Sequence, residues 1–351
     1  MFNFSKISNQ EKINFVKNLS VILKSGISIN EALNSISKQS KNKKFSKVID
    51  KIKNEVETGT PLSEALEKES KFFGNVFVSL IKAGESNGTL EENLDFLNNW
   101  LERDRDLKDK INAALLYPKI VIAATALLGG GLAVFILPKL TPLFRQLDVD
   151  LPLSTKILLL VSNFLGEYWH LTILGVVVAI ILLKFISKIK FVRRTIHFLY
   201  LKIPFVSGIV IDYQMALVSQ LLATLSRGGF SINETLQLTA EAATNIHYQE
   251  ALAKMRKRVD KGVTLSEALN RYSDLFPDNF INIVGTGEKS GTLEASFYHL
   301  SEFYSREVNI KTRKLPTIIE PVLLIFIGLA VGFVALSIIT PIYELTSSLS
   351  R

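Results

Sequence analysis

The residues closest to a known chemical motif form the glycine-rich segment 285–291, Gly-Thr-Gly-Glu-Lys-Ser-Gly. A phosphate-binding P-loop requires a glycine directly before its lysine and another at its opening position, because the backbone must wrap around the phosphates. Here Glu288 precedes Lys289, and Ile283 takes the opening position. A carboxylate there would also repel the anion. We therefore interpret the segment as a tight turn between two helices rather than as a nucleotide site.

The same Gly-Glu turn occurs twice, and it supplies the candidate site residues. Each copy has Gly-Glu, then two residues, then Gly-Thr-Leu-Glu. A carboxylate beside such a turn can cap backbone amides or meet an arginine of a partner, and we favour the structural role. The candidate structural or partner-contact residues are Gly84, Glu85, Gly88, Gly287, Glu288 and Gly291.

No signature of metal binding is found in the sequence, because the four histidines, His170, His197, His247 and His299, are scattered without metal-ligand spacing. The G-x-S-x-G match at residues 84–88 falls in the Gly-Glu turn between two predicted helices, whereas a nucleophile of that motif follows a strand. The chain has no cysteine, which excludes disulfides and thiolate metal sites. We expect no enzymatic activity, no cofactor and no metal. A catalytic site assembled from distant residues stays open at this point.

An internal repeat organises the chain. Three motifs recur at a constant offset of 203 residues, and prolines keep that offset further along. The pairs are Ser28–Glu31 with Ser231–Glu234, Leu62–Leu66 with Leu265–Leu269, Gly84–Glu91 with Gly287–Glu294, Pro118 with Pro321, and Pro138 with Pro341. The S-x-x-E form of the first pair is a capping box, which predicts a helix start. Each copy is therefore predicted to be a bundle of short helices followed by an apolar helix.

Three apolar stretches are each long enough to cross a bilayer, which takes roughly 20 helical residues. They run from about Leu115 to Leu137, from Leu165 to Ile186 and from Thr317 to Thr340. Lysine and arginine cluster before the first and third stretches and after the second, which predicts a cytoplasmic N-terminus. The net charge of +8 then lies beside the membrane, which favours anionic lipid over nucleic acid.

The predicted fold class is an all-α membrane protein with two homologous cytoplasmic helical-bundle domains and about three transmembrane helices. The first thirty residues contain no signal-peptide core. The predicted segments are a cytoplasmic domain 1–114, a transmembrane helix 115–139, an outer loop 140–164, a transmembrane helix 165–187, a second cytoplasmic domain 188–315, a transmembrane helix 316–340 and an outer tail 341–351.

The repeated pattern resembles the type II secretion F family, which includes type IV pilus platform proteins and the competence pseudopilus membrane protein. The resemblance rests on Gly26–Leu33 and Gly229–Leu236, on Gly59–Leu66 and Gly262–Leu269, and on the two Gly-Glu turns. It extends to Tyr117-Pro118, Glu320-Pro321 and Leu151-Pro152, and so covers nearly the whole chain. We expect no extended segment before the first repeat, in contrast to many members of that family.

The resemblance implies an inner-membrane platform that couples a cytoplasmic assembly ATPase to pilin or pseudopilin subunits. It also implies other inner-membrane platform components as partners and a homo-oligomer, with no direct contact to nucleic acid. Whether the product is a secretion pseudopilus, a pilus or a DNA-uptake fibre stays open. The alternative is a small transporter or channel built from parallel repeats, although no charged residue lies at the centre of a predicted span. A membrane-bound hydrolase is a third possibility.

Overall fold

The structure is a computed structural model, and it describes residues 8–131, 153, 155–157, 160, 164, 167–186 and 189–349. The described residues form helices and turns and include no strand. In chain order the helices are α1 (Asn9–Lys24), α2 (Ile29–Gln39), α3 (Lys43–Glu57), α4 (Leu62–Lys68), α5 (Ser70–Phe73), α6 (Asn75–Asn87), α7 (Leu90–Ala114), α8 (Leu116–Gly131), α9 (Trp169–Ile186), α10 (Lys190–Tyr200), α11 (Val206–Arg227), α12 (Ile232–Ala242), α13 (Ile246–Val259), α14 (Leu265–Asn270), α15 (Asp278–Ser290) and α16 (Leu293–Leu349).

The chain divides into two compact units. Unit 1 comprises Met1–Lys110 and Arg194–Lys311, so it contains the helical bundles of both repeat copies. Unit 2 comprises Ile111–Arg193 and Thr312–Arg351. The all-α class with a doubled helical bundle is therefore confirmed.

The repeat is visible in the helix boundaries. Helices α2 and α12 have the same length and are offset by 203 residues at both ends, and so are α6 and α15. The predicted caps form: Ser28 Oγ accepts from Glu31 N at 3.3 Å, and Ser231 Oγ accepts from Glu234 N at the same distance. In the second copy the Glu234 carboxylate also accepts from Ser231 N at 3.0 Å, which completes the capping box.

Each copy builds its core around equivalent aromatic residues. Phe73 and Phe77 stack at 4.8 Å between ring centroids, and Phe276 and Phe280, 203 residues later, stack at 5.5 Å. Tyr248 replaces Phe45 in the second copy, and its hydroxyl donates to Leu275 O at 2.6 Å. Because the ring is fully buried, this hydrogen bond removes the cost of an unpaired hydroxyl.

Three helical stretches have the length and composition to cross a membrane: Leu90–Gly131, Val206–Arg227 and Leu293–Ser337. The apolar windows of the first and third are 6% and 0% buried, so their side chains have no protein core to enter. The window in Val206–Arg227 is 72% buried, because α11 forms the centre of unit 1. The chain is therefore a multi-pass membrane protein. Within unit 2, Thr155 Oγ1 donates to Ser337 O at 2.7 Å.

The predicted segment boundaries stay predictions. Helix α9 lies within the predicted second span, 165–187, and its residues His170–Ala179 form an apolar stretch shorter than a full span. The end of the first span after Gly131 and most of the outer loop, including Pro138 and Leu151-Pro152, lie outside the described residues. The predicted division between span and tail at residue 340 falls inside α16.

Candidate functional site

The two Gly-Glu turns end α6 and α15 in the same way. Gly88 and Gly291 have φ of +70° and +73°, a left-handed conformation that closes a helix and favours glycine. One turn earlier, the carbonyl of Gly84 accepts from Thr89 N at 2.8 Å, and that of Gly287 accepts from Thr292 N at 2.8 Å. The carbonyls of Gly84 and Gly287 are thus satisfied within the turn.

The Glu85 carboxylate caps a neighbouring helix of its own copy. Its two oxygens accept from Leu62 N at 2.7 Å and from Ser63 N at 3.0 Å, and Ser63 Oγ donates a third bond at 2.6 Å. Helix α4 follows Pro61, whose side chain makes no cap hydrogen bond. Glu85 therefore satisfies amides at the start of α4 that the local sequence leaves free.

Glu288 repeats this arrangement in the second copy. It accepts from Leu265 N at 2.5 Å, from Ser266 N at 3.0 Å and from Ser266 Oγ at 2.8 Å. Thr264 adds a conventional cap, because its Oγ1 accepts from Glu267 N at 3.3 Å. In both copies the carboxylate joins α6 to α4, or α15 to α14, through charge-assisted hydrogen bonds.

Gly84 and Gly287 are required for a different reason from the one the sequence suggests. A glycine beside a turn suggests a backbone conformation that other residues avoid. Of the four candidate glycines, however, only Gly88 and Gly291 have positive φ, and Gly84 and Gly287 lie inside α6 and α15. A Cβ at Gly84 would lie 2.8 Å from Leu90 Cα, and one at Gly287 would lie 2.1 Å from Ser296 Oγ. The constraint is therefore the close approach of the following helix.

The two copies contact each other inside unit 1 through polar side chains. Asn75 Nδ2 of α6 donates to Glu241 Oε2 of α12 at 2.5 Å. Gln220 of α11, which is buried, donates to the carbonyls of Asn99 and Trp100 in α7 at 3.5 and 3.4 Å. No sequence motif indicates these pairs, since the partners are separated by more than 100 residues.

Asp212 and Tyr213, adjacent in α11, contact the two helices that lead to the apolar segments. The Tyr213 hydroxyl donates to Asp104 Oδ1 of α7 at 3.0 Å, and Asp212 pairs with Lys311 of α16 at 2.5 Å. Lys108 also pairs with Asp104, at 2.5 Å. We call Asp104, Asp212, Tyr213 and Lys311 the α11 bridge. The equivalent residues of the first copy, Asn9 and Gln10, cannot reproduce it, because neither carries a charge or a phenol.

The histidines serve the packing of unit 1 where the structure describes their contacts. His197 Nδ1 of α10 accepts from Ile246 N at 3.0 Å, at the start of α13. His247 lies 5.9 Å from the Phe198 ring. Within the described ranges, no group of three or more His, Asp or Glu side chains has the arrangement of a metal site.

Comparison with known proteins identifies the fold as a doubled family domain. The model of the family "Type II secretion system (T2SS), protein F" matches residues 15–138 and again 218–341, so both boundaries are offset by 203 residues. The two matches cover more than half of the chain. The chain belongs to the type II secretion system protein F family. The resemblance suggested by the repeated motifs is therefore confirmed.

Relatives of this protein F family member have names from two related machines. The type IV pilus assembly protein PilC of Thermus thermophilus is 31% identical over 96% of this chain and 82% of its own length. The PilC of Pseudomonas aeruginosa is 28% identical over 94% of this chain and 88% of its length. The type II secretion system protein F of Xanthomonas campestris is 25% identical over 97% of this chain and 84% of its length.

Proposed function

We propose that this protein is a platform in the cytoplasmic membrane on which a secretion or pilus machine assembles pilin-type subunits. Its relatives align with nearly the whole chain, and they are named as pilus assembly and type II secretion proteins. Its long apolar helices and its compact polar unit suit a membrane anchor that presents a surface to a motor. The pilus and secretion versions of this role are equally compatible with the relatives' names.

In this proposal unit 1 faces the cytoplasm. Arg103, Arg105, Lys108 and Lys110 precede the first apolar segment, and Lys311, Arg313 and Lys314 precede the third. Positive residues beside a span stay on the cytoplasmic side, where they also contact anionic lipid. The N-terminus is then cytoplasmic, and the segment after the third span is outside.

The observation that supports the platform role best is the α11 bridge. Helix α16 continues from unit 1 into the apolar residues of unit 2, and α7 ends two residues before the apolar helix α8. The bridge connects α7 to α16 through two adjacent residues of a buried helix. A force applied to either copy would therefore reach both membrane-directed helices, which is what coupling to a motor requires.

The proposed partners follow from this role. A cytoplasmic assembly ATPase would bind unit 1, and pilin or pseudopilin subunits would contact the spans, together with other platform components and further copies of this chain. Glu85 and Glu288 would stabilise the docking surface, since their carboxylates are engaged in capping α4 and α14. Hydrolysis would belong to the motor.

The test is co-purification of the tagged full chain with the secretion-type ATPase of its own cell, combined with a fibre or secretion assay. We expect the wild-type chain to retain the ATPase. Tyr213→Phe, which removes the bridge hydroxyl, should retain the ATPase but assemble fewer fibres. Tyr304→Phe is the matched control, because its hydroxyl donates to Asn279 Oδ1 within one copy at 2.6 Å.

Two outcomes would contradict the proposal. The first is failure of the wild-type chain to associate with the ATPase both in detergent and after crosslinking in cells. The second is solute flux in liposomes that contain this protein alone, which would favour the transporter. If Tyr213→Phe and wild-type chains assemble equal numbers of fibres, the α11 bridge is not required for coupling, and the platform role itself is unaffected.

A further inference from the structure

Unit 1 contains a cavity of about 680 Å³ that the platform role does not use. It lies between α7, α11 and α16, and we call it the α7–α11–α16 cavity. Its volume is within the range of small-molecule sites, roughly 300–1,000 Å³. Its walls carry three aromatic rings and two guanidinium groups, from Phe96, Trp100, Tyr298, Arg103 and Arg227.

The repeat provides an internal control for this cavity. In the first copy, Asp95 closes the interface between α1 and α7, which we call the seam. Its carboxylate accepts from Ser20 Oγ at 2.8 Å and pairs with Lys24 at 2.5 Å. The equivalent residues 203 positions later are Ala223, Arg227 and Tyr298. They leave the seam open, and all three line the cavity.

Two polar groups at the cavity lack partners. Ser301 is only 1% exposed, lines the cavity, and its Oγ has no hydrogen-bond partner among the described residues. The indole Nε1 of Trp100 is likewise buried without a partner in the part of the chain that the structure describes. Buried polar groups are normally satisfied, so each favours a bound molecule that supplies an acceptor.

Of the two cations at the cavity, Arg103 is paired with Glu302, whereas Arg227 is only weakly paired and is available to an anion. Arg227 lies 5.1 Å from the Phe96 ring centroid and Arg103 lies 5.6 Å from that of Tyr298. Arg227 pairs with Glu294 at only 3.9 Å, with both side chains more than half exposed. Such a pair contributes little, so Arg227 can turn to a ligand at small cost. The start of α16 also lines the cavity, and a helix N-terminus favours an anion.

We propose that the α7–α11–α16 cavity binds a small ligand of the nucleotide class, a heteroaromatic ring that carries a phosphate. The ring stacks against Trp100 and Tyr298, and ring atoms accept from Ser301 and from the indole. The phosphate binds Arg227 and the amides at the start of α16, and it displaces Glu294. Of the 285–291 segment only Gly291 lines the cavity, so Lys289 takes no part in the site, and the binding involves no hydrolysis.

The experiment is a titration of the full chain in detergent with adenosine monophosphate and guanosine monophosphate, followed by calorimetry and by tryptophan fluorescence. The chain has two tryptophans, so a Trp169→Phe background makes Trp100 the only reporter. Adenosine and inorganic phosphate serve as part-ligands. We expect saturable binding of at least one nucleotide, with each part-ligand about tenfold weaker or more.

Variants locate the binding. Arg227→Gln should weaken it about tenfold, because one charge-assisted contact is lost, and the fold should persist because the Arg227 side chain is more than half exposed. Glu294→Gln should strengthen it, because the competing carboxylate is removed. The triple variant Ala223→Ser, Arg227→Lys and Tyr298→Asp copies the closed seam of the first copy, and it should abolish binding. The reverse exchange, Ser20→Ala, Lys24→Arg and Asp95→Tyr, should leave binding unchanged.

The proposal is overturned if neither nucleotide binds at millimolar concentration. It is also overturned if phosphate alone binds as tightly as the nucleotide, which would leave a simple anion site, or if Arg227→Gln has no effect. Co-purification with the ATPase is measured separately, so failure here leaves the platform proposal intact.

Discussion

The two copies of the repeat share their turns and differ in their seams. Glu85 and Glu288 make the same three hydrogen bonds, and the helices that carry them, α6 and α15, have the same length. The seam closed by Asp95 in the first copy is an open cavity in the second. In the α11 bridge, Asp212 and Tyr213 take the places of Asn9 and Gln10 of the first copy. The shared turns thus maintain the fold, whereas the divergent positions are available for function.

The largest effect should come from filling the helix contacts at Gly84 and Gly287. Gly84→Val or Gly287→Val should destabilise unit 1 by about 3 kcal/mol or more, because a well-packed contact is overfilled. The two copies should then differ in whether a second substitution restores their stability. Ser296→Gly relieves Gly287→Ala, since Ser296 provides the nearest atoms, whereas the obstacle to Gly84→Ala includes the Leu90 backbone. Thermal unfolding by circular dichroism measures both; melts equal to wild type would contradict the packing argument.

The next effect tests whether the two carboxylates are equivalent. Glu85→Gln and Glu288→Gln should each cost about 1–3 kcal/mol, because buried amides lose a charged acceptor. Glu85→Gln should be the more harmful, since Pro61 offers no alternative cap while Thr264 caps α14. Chemical denaturation of the two variants compares them. Exposed Glu64→Gln in α4 is the control, and an equal loss from it would contradict a role for capping.

A smaller effect is expected at the α11 bridge. Tyr213→Phe should cost about 1 kcal/mol, the usual net value of one hydrogen bond. Tyr304→Phe should cost a similar amount, because it also loses one hydroxyl bond. Hydrogen exchange distinguishes them: only Tyr213→Phe should lower protection in α7. Loss of protection in α7 from both variants would indicate a general loosening of unit 1.

The smallest expected effect is on the pH dependence of stability, through Asp95 in the closed seam of the first copy. Partial burial alone would raise the pKa of Asp95, but the hydrogen bonds from Lys24 and Ser20 outweigh it and hold the pKa below the ordinary value of 3.8. A depressed pKa gives stability that is present above the unfolded value and is lost as the pH falls through the folded one. Asp95→Asn should therefore reduce the acid sensitivity of the melting temperature below about pH 4. If the melting temperature of Asp95→Asn falls with acid as steeply as that of the wild type, this prediction is contradicted.

The sequence predicts the doubled architecture well because the repeat carries its own local signals. The capping boxes at Ser28 and Ser231 and the turn glycines Gly88 and Gly291 act within a few residues, so the pattern determines them. Long apolar stretches indicate spans for the same reason, although α11 meets the same length and composition criteria and lies in the core of unit 1.

The remainder depends on tertiary geometry. Nothing near Gly84 in the sequence shows that Leu90 approaches it, and so the pattern indicates backbone conformation instead. The bridge from Tyr213 to Asp104 spans 109 residues and has no motif. The cavity results from differences between the copies, which a search for shared motifs overlooks.

The most direct test of the account is whether the two copies work as one body. The chain has no cysteine, so Asn75→Cys and Glu241→Cys introduce the only reactive pair, at exposed positions that are hydrogen-bonded across the copies. A short bismaleimide applied in cells should link them, and the linked chain should still bind the assembly ATPase and support fibre assembly. Absence of the crosslink, or a linked chain that loses assembly while both single variants keep it, would contradict a unit in which the copies move together.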